Sequence, residues 1–150
     1  MFDIAFILNE PPYLDEDGRQ GLWGRIVLGD FSERFVAPTR WWSRVEYERQ
    51  WVDGANRLLA GARESAFVEQ AGRTWWIAWR ESESVFVQQR LLVADEMAPA
   101  RLAVVSELPY ELVGDRETHS DDGSPISQWL VGVDDVRAFV ERRAKGLGAG

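Results

Sequence analysis

The sequence predicts an α+β fold: a single twisted, mainly antiparallel sheet with a long central helix and a C-terminal helix packed on one face. Three observations predict it. Short apolar or alternating segments recur along the chain, and most links between them are too short for parallel crossovers. A one-sided helical stripe over 43–61 carries both a start and a stop signal. A second amphipathic segment follows Asp134 and closes the chain. Strands joined by hairpins, with few helices, separate this class from α/β.

Taken in order, Phe2 to Leu8 (FDIAFIL) is a short apolar run and reads as a strand lying inside a sheet. It has neither the basic flank nor the small-residue cleavage site of a signal peptide. NEPPYLDEDGRQG follows as a loop, with Asp15, Glu16 and Asp17 forming an acidic knot at its tip. WGRIVLG and ERFVAP are strands separated by Gly29-Asp30-Phe31-Ser32, a spacing that favours an antiparallel pair.

The long helix comes next. Ser43 and Glu46 have the spacing of a capping box. Trp51, Ala55, Leu58, Leu59 and Ala62 recur at intervals of three and four, the mark of a helix with one apolar face. Gly61 is a fitting stop, because glycine tolerates the left-handed turn that ends many helices. Gly54 weakens the helix interior by roughly 1 kcal/mol relative to alanine, and marks a turn packed closely against a backbone or a large ring.

Three strands in a meander follow: SAFVEQ, TWWIAWR and VFVQQRLLV. One face is expected to pack on the helix. The other is expected to show Gln88, Arg90, Arg80 and Trp76 to water or to a partner. Arg101 to Leu108 reads as a further strand on the strength of its valines. Residues 109–125 are a long polar loop carrying Glu117, His119, Asp121 and Asp122. ISQWLV is a last strand. Asp134 then caps a helix whose Val136, Phe139 and Val140 face inward, and LGAG is a frayed tail.

The chain of 150 residues has the length of one domain, 1–150, with eight tryptophans to build its core. Its net charge of −8 argues against nucleic-acid binding and favours solubility or a basic partner. No apolar stretch approaches the roughly 20 residues that a membrane helix needs. With no cysteine there is no disulfide framework and no thiolate chemistry, which fits a reducing cytoplasm.

The search for chemistry yields no catalytic residue and no cofactor. The one histidine, His119, sits in the polar loop, and there is no GxSxG elbow for a serine nucleophile. His119, Asp121 and Asp122 bring too few strong ligands for zinc. DxDG at Asp15–Gly18 and DDGS at Asp121–Ser124 lack the later glutamate of a calcium loop. No glycine-rich segment matches a phosphate loop.

One resemblance adds to this reading. Gly24, Ile26, Gly29, Phe31, Glu33 and Phe35 follow a G-x-I-x-x-G-x-F-x-E-x-F pattern. Trp42, Tyr47 and the Gln50-Trp51 pair come after it on the helix, and ISQWLVGVDDVRAFV closes the chain. In these stretches the chain resembles the CdiI-type immunity proteins of bacterial contact-dependent growth inhibition. The resemblance implies a cytoplasmic, non-enzymatic inhibitor that binds a cognate CdiA C-terminal toxin domain; a monomer in a 1:1 complex is the default expectation. That toxin is expected to be a nuclease, blocked at its active or substrate surface. The motif residues are core-forming, so no contact residue carries over with them. The acidic residues Asp15, Glu16, Asp17, Glu117, Asp121 and Asp122 are the candidate toxin contacts, because an acidic inhibitor gains encounter rate and specificity against a basic surface. The alternative is a small-ligand or glycan-binding module, which needs Trp75, Trp76 and Trp79 exposed.

Overall fold

The computed structural model describes residues 1–40, 42–70, 74–91, 110 and 113–148. The class is α+β, but the described strands form two four-stranded antiparallel sheets rather than one. In the first, β3 (Gln20–Leu28) is central. β4 (Phe31–Pro38) runs along one edge from Gly21 to Leu28. The other edge is shared end to end by β1 (Phe2–Phe6) and the short β2 (Tyr13–Leu14). In the second sheet the order is β5 (Glu64–Gln70), β6 (Thr74–Glu81), β7 (Ser84–Leu91), β8 (Trp129–Gly132). The helices are α1 (Arg44–Leu59) and α2 (Val133–Gly148). The strand expected over Arg101 to Leu108 lies outside the described residues.

The sheets separate because α1 occupies the edge on which β5 could have been extended. The Gln50 carboxamide reads that edge as a neighbouring strand would. Its Oε1 accepts the Val68 N–H at 2.7 Å, and its Nε2 donates to the Ala66 carbonyl at 2.7 Å. The Trp51 indole N–H donates to the Val68 carbonyl at 2.7 Å, and the Ser65 hydroxyl donates to the Gly54 carbonyl at 2.7 Å. With these groups satisfied by side chains, β5 has no ladder to offer β4. An edge covered in this way is also protected from pairing with another chain.

Gly54 is where α1 comes closest. A Cβ placed there would lie 2.5 Å from the Ala66 carbonyl oxygen and 3.3 Å from a Phe67 ring carbon. The close packing expected from sequence is thus against backbone and ring together. Gly54→Ala is therefore expected to destabilise the fold by about 2–3 kcal/mol, the scale of core overpacking, despite the gain in helix propensity. Urea denaturation checks the sign: a variant as stable as wild type would contradict the contact.

Both signals for the ends of α1 are realised. The Glu46 N–H donates to Ser43 Oγ at 3.3 Å, and the Ser43 N–H donates to Glu46 Oε1 at 3.2 Å. At the far end Gly61 takes φ +100°. There the Ala62 and Gly61 N–H groups return to the carbonyls of Arg57 and Leu58, which is a Schellman close. α2 starts at Val133, one residue before the expected cap. Asp135, not Asp134, reaches back, with Oδ2 accepting the Gly132 N–H at 2.9 Å. The helix continues through to Gly148.

β1 lies at an edge rather than inside its sheet, and α2 covers it. Arg142 donates to the Phe2 carbonyl at 2.8 Å and Arg143 to Asp3 Oδ1 at 2.9 Å. The main core joins the facing sides of both sheets to the helices, with Ile4, Ile26, Trp51, Phe67, Trp76 and Phe139 fully enclosed.

Candidate functional site

The tryptophan face is the first candidate, and the structure removes it. The register sets Trp76 opposite Gln89 and Ile77 opposite Gln88. Trp76 and Gln88 therefore point to opposite sides, not to the shared open face expected from sequence. Trp76 lies in the main core. Trp75 and Trp79 lie in a second apolar cluster with Ala66, Ile77 and Tyr110. Their exposures are 2 % for Trp75, 0 % for Trp76 and 6 % for Trp79, which leaves no ring face to stack on a sugar.

That second cluster is closed by hydrogen bonds. Trp79 Nε1 donates to the Gly114 carbonyl at 2.8 Å. The Tyr110 hydroxyl donates to Asp53 Oδ2 at 2.7 Å and accepts from Gln50 Nε2 at 3.0 Å. Burial first, and then the Asp53 carboxylate, push the phenol above its ordinary range. This network fastens Tyr110 to the helix and assembles no reacting groups.

The acidic loops are the second candidate. Asp15 organises its own turn: Oδ1 accepts the N–H groups of Asp17 at 2.9 Å and Arg19 at 2.8 Å. Glu16 and Asp17 are on the surface of that turn, Glu16 exposed and Asp17 exposed. In the other loop, backbone bonds from Ser120 to Ser124 and from Ile126 to Thr118 close a tight hairpin. Glu117, Asp121 and Asp122 are exposed there. The Glu117 carbonyl accepts from buried Gln88 at 2.8 Å, which ties this hairpin to the sheet. No hydrogen bond or ion pair joins the two loops among the described residues.

Asp122 is held by its neighbours. Its Oδ1 accepts the Ser120 hydroxyl and, at 2.9 Å, the Ser124 N–H. The Ser120 bond first, then those from Ser124, hold its pKa at about 2. A depressed carboxyl pKa means the loop's stabilisation is in place above the ordinary carboxylate range and is lost as pH falls through about 2. An NMR titration is expected to show the Asp122 carboxyl carbon and the Ser124 amide moving together near that pH. In Ser120→Ala the midpoint should climb toward 3.8. An ordinary midpoint in wild type would refute the arrangement.

His119 is exposed, and its Nδ1 lies 3.0 Å from the Thr118 hydroxyl. Among the described residues no group of three or more His, Cys, Asp or Glu side chains is placed to hold a metal. No helix among them is long and apolar enough to cross a membrane.

Two further features were not singled out from sequence. One is a groove of about 280 Å³ between β1, α1 and α2, floored by Phe6, Trp51 and Phe139 and edged by the Arg44–Glu48 pair. The other is a seam where β4 passes β5. There Glu69, only 4 % exposed, accepts from Gln89 Nε2 at 2.8 Å, with the exposed Glu33 facing it from β4. A register irregularity between Val68 and Gln70 falls at Glu69, so simple alternation along β5 does not give its side.

Comparison with known proteins follows the same architecture. The model of the CdiI N-terminal domain matches residues 37–139, from the end of β4 into α2. The immunity protein CdiI of Enterobacter cloacae subsp. cloacae is 24% identical over 124 residues, covering 76% of this chain and 81% of that protein. A chain of the CdiA-CT/CdiI toxin and immunity complex from Enterobacter cloacae superposes with a TM-score of 0.78 at 23% identity. The match covers 95% of this chain and 97% of that one, and it shows a shared fold. With more than half of its length matched by the family model, this chain belongs to the CdiI N-terminal domain family.

Proposed function

We propose that this chain is an immunity protein that binds the C-terminal toxin domain of a cognate CdiA protein and neutralises it by covering its active or substrate-binding surface. The observation that carries the reading is the family match over residues 37–139, which takes in the whole of α1 and the second sheet. The relative named as an immunity protein and the fold shared with a chain of a toxin and immunity complex support it.

Charge supports the finer part. A surface that binds nucleic acid is basic, and a chain of net charge −8 is drawn to it. The toxin is accordingly a nuclease, and the loops carrying Asp15, Glu16, Asp17, Glu117, Asp121 and Asp122 are its proposed contacts. Asp15 and Asp122 shape these loops, while Glu16, Asp17, Glu117 and Asp121 present charge to the partner. The chain acts as a cytoplasmic monomer in a 1:1 complex and as a stoichiometric inhibitor, so no catalytic residue is assigned.

Co-expression tests this. The toxin domain encoded beside this chain should arrest growth alone. It should be silenced by this chain and elute with it as a 1:1 complex from a sizing column. Continued arrest with no complex would remove the reading.

A further inference from the structure

Glu69 is a buried carboxylate for which the described part of the chain supplies no cation. None of the ion pairs among the described residues includes Glu69 or Glu33. The indole N–H of Trp76, fully buried, is directed at the same carboxyl. Glu33 stands on the inner side of β4, where the register places it beside Ile26 and in line with Phe31 and Phe35. Two like charges are thus neighbours where β4 passes β5, Glu69 buried and Glu33 exposed. A buried carboxylate without a counter-charge is a liability to the free fold. Desolvation first, with the charge of Glu33 adding to it, lifts the Glu69 pKa above its usual range, whereas the Gln89 hydrogen bond pulls the other way.

We propose that the seam between β4 and β5 seats a basic side chain of the toxin domain, whose guanidinium or ammonium group lies between Glu69 and Glu33. The proposal rests on the immunity reading above and names an anchor point within it. Two carboxylates beside two N–H donors, from Gln89 and Trp76, are too few oxygens for calcium. They do suit a compact cation that brings its own donors, and a planar guanidinium fits facing carboxylates best. The surface loops then govern encounter, and the seam governs residence.

The test is calorimetric titration of the folded chain with a catalytically silent form of the toxin domain encoded beside it, paired with a thermal melt of each variant. Glu69→Gln keeps the shape and the Gln89 contact while removing the charge. It is expected to leave the melting temperature unchanged or raise it, and to weaken binding at least about 30-fold, the scale for losing one partner of a buried charge pair. Glu33→Gln, at the exposed lip, is expected to weaken binding about 3- to 10-fold. Glu141→Gln, on the exposed side of α2, should stay within twofold of wild type. Glu69→Gln binding within threefold of wild type would overturn the proposal. A fall in melting temperature in proportion to the lost affinity would also overturn it, since that marks a structural role. A wild-type chain that fails to bind at all sinks the immunity reading itself, an outcome distinct from either.

Discussion

Trp51→Ala is expected to lower the unfolding free energy by about 5 kcal/mol, the upper end for removing a buried tryptophan. Trp51 is 1 % exposed and stands where both sheets and the helix meet. Its ring lies 4.9 Å from Phe6, 6.1 Å from Phe35 and 6.1 Å from Tyr47, so its loss loosens three aromatic contacts together. The Val68 carbonyl also loses its indole donor. At roughly 2–4 °C per kcal/mol for a chain of this length, the melting temperature should fall by about 10–20 °C. Trp51→Phe separates the two contributions: it keeps most of the ring and loses only the donor. A loss of about 1–2 kcal/mol is expected for it. Equal losses in the two variants would show that the hydrogen bond, not the packing, is what matters at this site.

Gln50→Leu is expected to cost about 3–4 kcal/mol, although leucine matches the volume and the burial. The reason is what it leaves behind. The Val68 N–H and the Ala66 carbonyl lie at a strand edge enclosed by α1, where water cannot replace the carboxamide. Each unsatisfied group costs roughly 1–3 kcal/mol, and the contact with the Tyr110 hydroxyl goes too. Gln50→Glu gives a second check through pH. A neutral carboxyl can accept from Val68 and donate to Ala66, whereas the carboxylate has no proton to donate and is buried as a charge. The folded-state pKa of the new group should therefore be raised, and the penalty should grow as pH climbs above the unfolded carboxyl range. Hydrogen exchange at the Val68 amide would report the same loss locally. An amide as protected in Gln50→Leu as in wild type would contradict the edge-capping role.

These two residues show what a motif can hide. Gln50 and Trp51 belong to the motif that carries the family resemblance, and helical spacing predicts that Trp51 is buried. Nothing in the spacing said that a glutamine beside it would act as a strand. The partners, Ala66 and Val68, lie 16–18 residues further on, and the hydrogen bonds exist only once α1 has folded back along β5. Expecting one sheet was the natural outcome: hairpin links say which strands are neighbours in sequence, not where a sheet must stop.

The faces of the second sheet failed for a related reason. Alternation along TWWIAWR sets Trp75, Ile77 and Trp79 against Trp76 and Ala78, and the two core clusters divide the same way. Joining those faces to β7 needed the register, and a shift of one residue carries every side chain to the other side. The observed pairing of Ile77 with Gln88 put Trp76 in the core and closed the glycan reading. Of the proposed contacts, the six acidic loop residues were legible only as charge runs at turns; their contact with a toxin is a proposal. Glu69 was not, because a single glutamate inside an apolar strand reads as part of its alternation.

By itself, then, the sequence determined what is local: the capping box at Ser43, the left-handed stop at Gly61, the hairpins and the amphipathic C-terminal helix. Each depends on residues within a few positions of one another, so sterics and short-range hydrogen bonding suffice. Only the tertiary structure decided that β5 ends one sheet, that Trp75, Trp76 and Trp79 are sealed, and that Glu69 lies buried beside Glu33 of β4. Those outcomes depend on which distant backbone groups find partners and which charges lose their water, and both are set when the sheets and helices come together.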